Sequence, residues 1–239
     1  MSAALGSAEG VSLQVSPGHV GTPSVVATTT MTPRADRGFS PRGAATFGRV
    51  LVCDLRHFLD MPEGAPGPAR RLALQLGAIV RAGSARPVGT SATSGVGCTK
   101  RPGRRPCDGY IMVFRHGNGQ IAWACDVCGD EGVITGWEGS PTDVSGLDDG
   151  YAEGETIAVE MSRSLFDLLR GVLVLDAASE LLIALARGSS EGVVLSGSAE
   201  AFDELVGYVA SEANAESDRR RARLLDEACT VLETAWVEE

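Results

Sequence analysis

With 239 residues, 44% of them hydrophobic, and a net charge of -10, the chain has room for two small domains and the make-up of a globular protein. No apolar run reaches the length of a membrane span, and the first ten residues carry neither a basic n-region nor a following apolar stretch, which speaks against a spanning or exported protein and for the cytoplasm. The charge is uneven, +1 over residues 1–150 and -11 over 151–239, as expected of two units with different surfaces.

In chain order, residues 1–46 are rich in Ser, Thr, Ala, Gly and Pro and cannot bury enough apolar surface to offset ordering, so they read as a disordered tail. Met31 offers an alternative translation start, and Arg34, Arg37, Arg42 and Arg49 read as solvated charges. A first domain, 47–140, opens with a strand around Val50-Leu51-Val52-Cys53 and a turn or short helix to Leu59. After the break at Pro62 to Pro68, Leu72, Leu76, Ile79 and Val80 share one face of a helix expected over Ala69 to Ala82. Residues 83–97, full of Gly, Ser, Thr and Pro, read as a loop. Tyr110 to His116 and Gln120 to Ala124 then alternate around Gly117-Asn118-Gly119, the signature of a β-hairpin with a tight Asn-Gly turn, and Gly132 to Trp137 adds a third strand. The first strand and helix are expected to cover the Trp123 side of this small sheet.

The hairpin brings Cys107 and Cys125 to its open end, beside Cys98 and Cys128. In Cys125-Asp126-Val127-Cys128-Gly129, two residues between thiols let both sulfurs face one ion, and the glycine permits a backbone conformation that a Cβ would obstruct. Cys98, Cys107, Cys125 and Cys128 therefore read as ligands of a structural zinc ion, Zn2+, in a cytoplasm that keeps thiols reduced. The first pair, separated by eight residues, departs from a second C-x2-C turn, and His116 is the alternative to Cys98 as fourth ligand. A redox C-x2-C, disulfides and an iron site are the competing readings, although Gly129-Asp130-Glu131-Gly132 does not suggest the helix a redox pair wants. Cys53 and Cys229 read as small buried apolar side chains.

Residues 141–154 mix Gly, Asp, Ser and Pro as a linker does. A second, acidic α+β domain, 155–239, is expected to hold strands at Glu155 to Met161 and Gly192 to Ser196 that pair with each other. Its helices are expected at Arg163 to Val172, capped by Ser162, at Asp176 to Arg187, at Ala199 to Asn214 with Phe202, Leu205, Val206 and Val209 inward, and at about Asp218 to Trp236. The last should present Leu224, Ala228, Val231, Leu232 and Ala235. The run Arg219-Arg220-Arg221-Ala222-Arg223 reads as a solvated face, with i,i+4 pairs Glu216 to Arg220 and Arg223 to Glu227. The fold class is thus α+β.

Residues 53–62 (Cys-Asp-Leu-Arg-His-Phe-Leu-Asp-Met-Pro), 66–72, 104–107, 123–132 and 136–140 together resemble a group of uncharacterised bacterial zinc-ribbon proteins, whose relatives lie near or are fused to a plasmid-encoded family linked with transposon passengers. The resemblance covers about residues 48–145. It implies metal binding by the same four cysteines and no activity.

Three histidines, at 19, 57 and 116, give no Ser/His/Asp or Cys/His constellation, and four thiolates leave no open coordination position for water, so no catalytic residue is assigned. No phosphate-binding glycine motif appears. The expected function is a non-enzymatic adaptor or regulator whose acidic domain docks an unidentified protein partner, with no membrane partner and no oligomeric state specified. The alternative is a nucleic-acid-binding protein that uses Lys100, Arg101, Arg104 and Arg105 on phosphates, with Trp123 or Trp137 stacking on bases if exposed.

Overall fold

The computed structural model describes residues 50–62, 64–147 and 156–234. The expected tail, 1–46, with Met31, His19 and its arginines, lies outside the described residues, as do residues 148–154 of the expected linker and Ala235. The chain is α+β, as its patterning implies, and the described residues form two sheets with helices packed on them.

The first sheet has five strands in the order β1-β5-β4-β3-β2, where β1 is Leu51–Asp54, β2 Ser91–Gly97, β3 Tyr110–Arg115, β4 Ile121–Cys125 and β5 Glu131–Thr135. β1 runs parallel to β5, and the other pairs are antiparallel. Ile111 and Val113 of β3 stand opposite Cys125 and Trp123 of β4, all four buried. A short helix α1, Arg56–Leu59, follows β1, and α2, Gly67–Ser84, packs across β2, β3 and β4 with Leu76, Ile79 and Val80 buried. Small residues allow this approach: a Cβ on Gly83 would lie 2.8 Å from Ile121. Arg115 closes the C-terminal end of α2, donating to the Ser84 and Arg86 carbonyls while its guanidinium stacks over Trp137.

Two expectations need correction here. The supposed loop 83–97 instead contains the end of α2 and the whole of β2, because the open edge of β3 offers a hydrogen-bonding partner that outweighs a Gly, Ser and Thr composition poor in strand formers. Where the register slips between Thr93 and Gly97, buried Ser94 repairs the ladder, donating to the Ile111 carbonyl at 2.6 Å and accepting from the Val96 N–H. The hairpin turn spans 117–119 as expected, His116 N–H donating to the Gln120 carbonyl, but of Asn118 and Gly119, both expected to take positive φ, only the glycine does, at 76°.

The second sheet orders β6 (Ile157–Met161), β8 (Val193–Gly197) and the two-residue β7 (Arg187–Gly188), the last not foreseen from sequence. Helix α3 (Arg163–Leu169) has Ser162 accepting from the Leu165 N–H, and α4 (Ala177–Leu185) has Asp176 accepting from the Ser179 N–H. Helices α5 (Ala199–Ala215) and α6 (Arg219–Thr234) complete the layer, burying Phe202, Leu205 and Val209 against Leu225, Ala228 and Leu232. Leu224 and Val231 pack against this core partly buried, as expected, and Leu225 adds a fully buried side chain to the same face.

The expected pairs at Glu216 to Arg220 and Arg223 to Glu227 do not form; Arg221 alone bridges Glu212 and Glu216, tying α5 to α6. Burial pushes the Glu212 carboxyl up, but the Leu173 N–H and Arg221 outweigh it and hold it below the usual 4.5. The depressed value means that this contribution is complete above about pH 4.5 and fades as pH falls through the folded value. Glu212→Gln should therefore flatten the loss of melting temperature between about pH 5 and about pH 3; an unchanged acid limb would show that the pair contributes nothing.

The halves have separate apolar cores but meet extensively. Gly95 N–H of β2 donates to the Ala186 carbonyl at 2.9 Å, and Tyr110 of β3 belongs to the core of the second half. Residues 141–147, the first part of the expected linker, pack rather than trail: Val144 is buried with Leu181 and Ala184.

Candidate metal centre

The four predicted cysteines converge at the end of the first sheet. Cys98 follows β2, Cys107 precedes β3, Cys125 ends β4 and Cys128 sits in the turn before β5, so the four antiparallel strands deliver all four thiols to one spot. Their sulfurs lie within 4.8 Å of one another and could hold a metal ion. The Cys98 and Cys128 sulfurs are 3.6 Å apart and those of Cys107 and Cys125 3.7 Å. A tetrahedron with metal–sulfur bonds of about 2.3 Å has edges of about 3.8 Å, so the spacing suits four thiolates around one ion. All four are free thiols, and Cys98, Cys107 and Cys125 are buried.

Backbone N–H groups point at three of these sulfurs: Lys100 to Cys98, Gly109 to Cys107 and Cys128 to Cys125, at 3.4 to 3.5 Å. Burial pushes the Cys98 thiol up and the Cys125 thiol up to about 11, whereas for Cys107 burial is outweighed by the Gly109 N–H and the neighbouring thiols, which leave it below its ordinary value. Burial thus favours the neutral thiols of Cys98 and Cys125 until a cation replaces their protons, which couples metal uptake to proton release. Asp126, between the paired cysteines, accepts from the Tyr110 N–H at 2.8 Å and so anchors the turn to β3.

The eight-residue spacer between Cys98 and Cys107 has a simple construction. Cys107 N–H donates to the Lys100 carbonyl at 2.9 Å, pinching off residues 101–106 as a side loop. Without that loop the chain would read Cys98-Thr99-Lys100-Cys107, the spacing of the other turn. Within it, Pro102–Arg104 form one 3-10 turn, and Gly103 and Arg104 take positive φ, 61° and 69°. Arg101, Arg104 and Arg105 are exposed and, among the described residues, make no ion pair, whereas Lys100 lies 3.3 Å from Asp130. His116 stacks edge-on against Phe114 beside the hairpin turn, outside the thiol group.

Other candidates fall elsewhere. Trp123 and Trp137 are buried, 6% and 1% exposed, and so cannot stack on bases. Cys53 and Cys229 are half-buried rather than buried, each packed at the margin of a core. Cys125 ends a strand, without the helix N-terminus that would activate a redox pair. Sequence reasoning missed Arg163, whose guanidinium donates to the Cys98 carbonyl at 3.1 Å from 65 residues away; nothing local marks it. In comparisons with known proteins, no family model, no curated protein and no solved structure matches the chain, so the site is read from its own geometry.

Proposed function

We propose that the four thiolates hold one zinc ion as a structural element, and that the protein is a non-enzymatic adaptor or regulator assembled around it. The observation that carries this reading is the tight convergence of four sulfurs, three of them on buried cysteines, which would fill every position of a tetrahedral ion with protein and leave none for a reacting water. A protein partner would find apolar surface at the cleft of about 550 Å³ between α2, α3 and α4, where Leu74 and Leu173 are 72% and 88% exposed. Pull-down from the host, with nucleic acid digested in one arm, tests the class. An adaptor keeps its protein partners in both arms and in an Arg101, Arg104, Arg105→Gln variant. Loss of every partner on digestion contradicts it.

The arginines of the side loop, which make no ion pair among the described residues, favour a second reading, contact with nucleic-acid phosphates. With Lys100 held by Asp130, three charges are available, so the slope of log K against log salt should be no steeper than about -2.7 on duplex DNA. The three Gln substitutions should flatten it. Salt-sensitive binding that survives them would move attention to the arginines at 219–223.

Because the loop is pinched at its base, a chain lacking 101–106 should bind the same amount of zinc as the wild type. Loss of zinc in that deletion would mean that the loop itself shapes the site.

A further inference from the structure

We infer that Arg163 and Tyr110, neither of them a ligand, position the metal centre, and that through them metal occupancy and the joint between the two halves form one linked equilibrium. The inference rests on the metal-binding reading of the four thiols.

The contacts run in a closed circuit. Arg163, at the start of α3, donates to the Cys98 carbonyl at 3.1 Å and lies 5.2 Å from the centre of the Tyr110 ring, a cation over an aromatic face. Tyr110 donates its backbone N–H to Asp126, between Cys125 and Cys128, and its hydroxyl to the Gly192 carbonyl, 82 residues away, at 2.7 Å. One pair of residues from two halves therefore touches both cysteine-bearing arms, Arg163 through its guanidinium and Tyr110 through its backbone N–H. Three glycines leave room for it. A Cβ on Gly97 would lie 1.5 Å from the Arg163 guanidinium, one on Gly188 2.2 Å from the Tyr110 ring, and one on Gly109 2.6 Å from both Asp126 and Cys125.

Charge gives the circuit its direction. Four thiolates around a divalent ion carry a net charge of about -2. The Arg163 guanidinium, bonded to a ligand's own carbonyl, stabilises that dianion, and a loaded site in turn fixes the Cys98 carbonyl that Arg163 needs. Linkage makes the effect reciprocal: whatever Arg163 adds to metal affinity, the metal adds to the closed joint. Behind the pair, β2 and the second half meet through the Gly95 N–H to Ala186 bond and the close seat of Phe166 and Val193 over Gly95.

The test uses the full chain and zinc itself. Affinity measured by competition with a chromophoric chelator should fall by roughly 10- to 100-fold in Arg163→Gln, the usual loss when a residue supporting a ligand is removed, with the stoichiometry unchanged. Arg163→Lys, which keeps the charge, should fall between Gln and wild type. In the wild type, zinc removal should speed amide exchange at Gly95, Tyr110 and across 187–197, not only around the cysteines. Affinity in Arg163→Gln within about twofold of wild type, below the expected range, overturns the inference, as does exchange across 187–197 that ignores the metal. A wild-type chain that takes up no zinc overturns the metal reading and this inference with it; tight binding indifferent to Arg163 overturns the inference alone.

Discussion

Removing zinc with a strong chelator should abolish cooperative melting of the five-stranded sheet and shift tryptophan emission to the red. Cys98, Cys107 and Cys125 belong to the same buried cluster as Ile111, Val113 and Trp123, so the ion would sit within the core rather than on its surface. Apparent zinc binding by small four-ligand sites is about 10 to 16 kcal/mol, comparable to or larger than the roughly 5 to 15 kcal/mol by which a whole domain is stable. Two of the three tryptophans, Trp123 and Trp137, lie in this cluster, so the emission change reports chiefly on the first half. Cys125→Ser should give the same change without chelator. A sheet that melts unaltered after complete zinc removal would show that its apolar core suffices alone.

The second large effect is expected at Phe166. Its ring is 1% exposed, and it is shared between the halves: it belongs to the core of the second and presses on Gly95 of β2 in the first. Truncation to alanine leaves a cavity that neither backbone can close, at a cost of about 3 to 5 kcal/mol. Denaturant unfolding of Phe166→Ala should show that loss, beside a change within about 0.5 kcal/mol for Leu74→Ala, whose side chain is mostly exposed. A Phe166 variant as stable as the Leu74 one would mean that the joint is not packed as described.

Local chemistry made much of this legible. The alternation of Tyr110 to Arg115 and Ile121 to Cys125 set the hairpin, the periodicity of Phe202, Leu205 and Val209 set α5, and Ser162 marked the start of α3. The four cysteines could be grouped because the hairpin brings two of them together and a two-residue spacer adds a third. What stayed hidden depends on partners distant in sequence. β2 is a strand because β3 has an open edge and Ser94 repairs the bulge, neither of which its own residues announce. Leu225 joined Leu224, Ala228, Val231 and Leu232 on the inward face of α6, and its ion pairs moved to Arg221, because α5 rather than helical spacing decides both. At the site, the spacer looked like a long irregular link until the Lys100 carbonyl and Cys107 N–H closed its base. Arg163 gave no signal, since its partner carbonyl belongs to a residue 65 positions earlier.

The central claim is one zinc ion bound by four thiolates. X-ray absorption at the zinc edge, on protein purified without oxygen, measures it directly. The account predicts close to one zinc per chain with about four sulfur neighbours at about 2.3 Å and no nitrogen or oxygen in the coordination sphere. Protein free of zinc with Cys125 and Cys128 joined as a disulfide, or zinc bound by three sulfurs and a lighter atom, would contradict it.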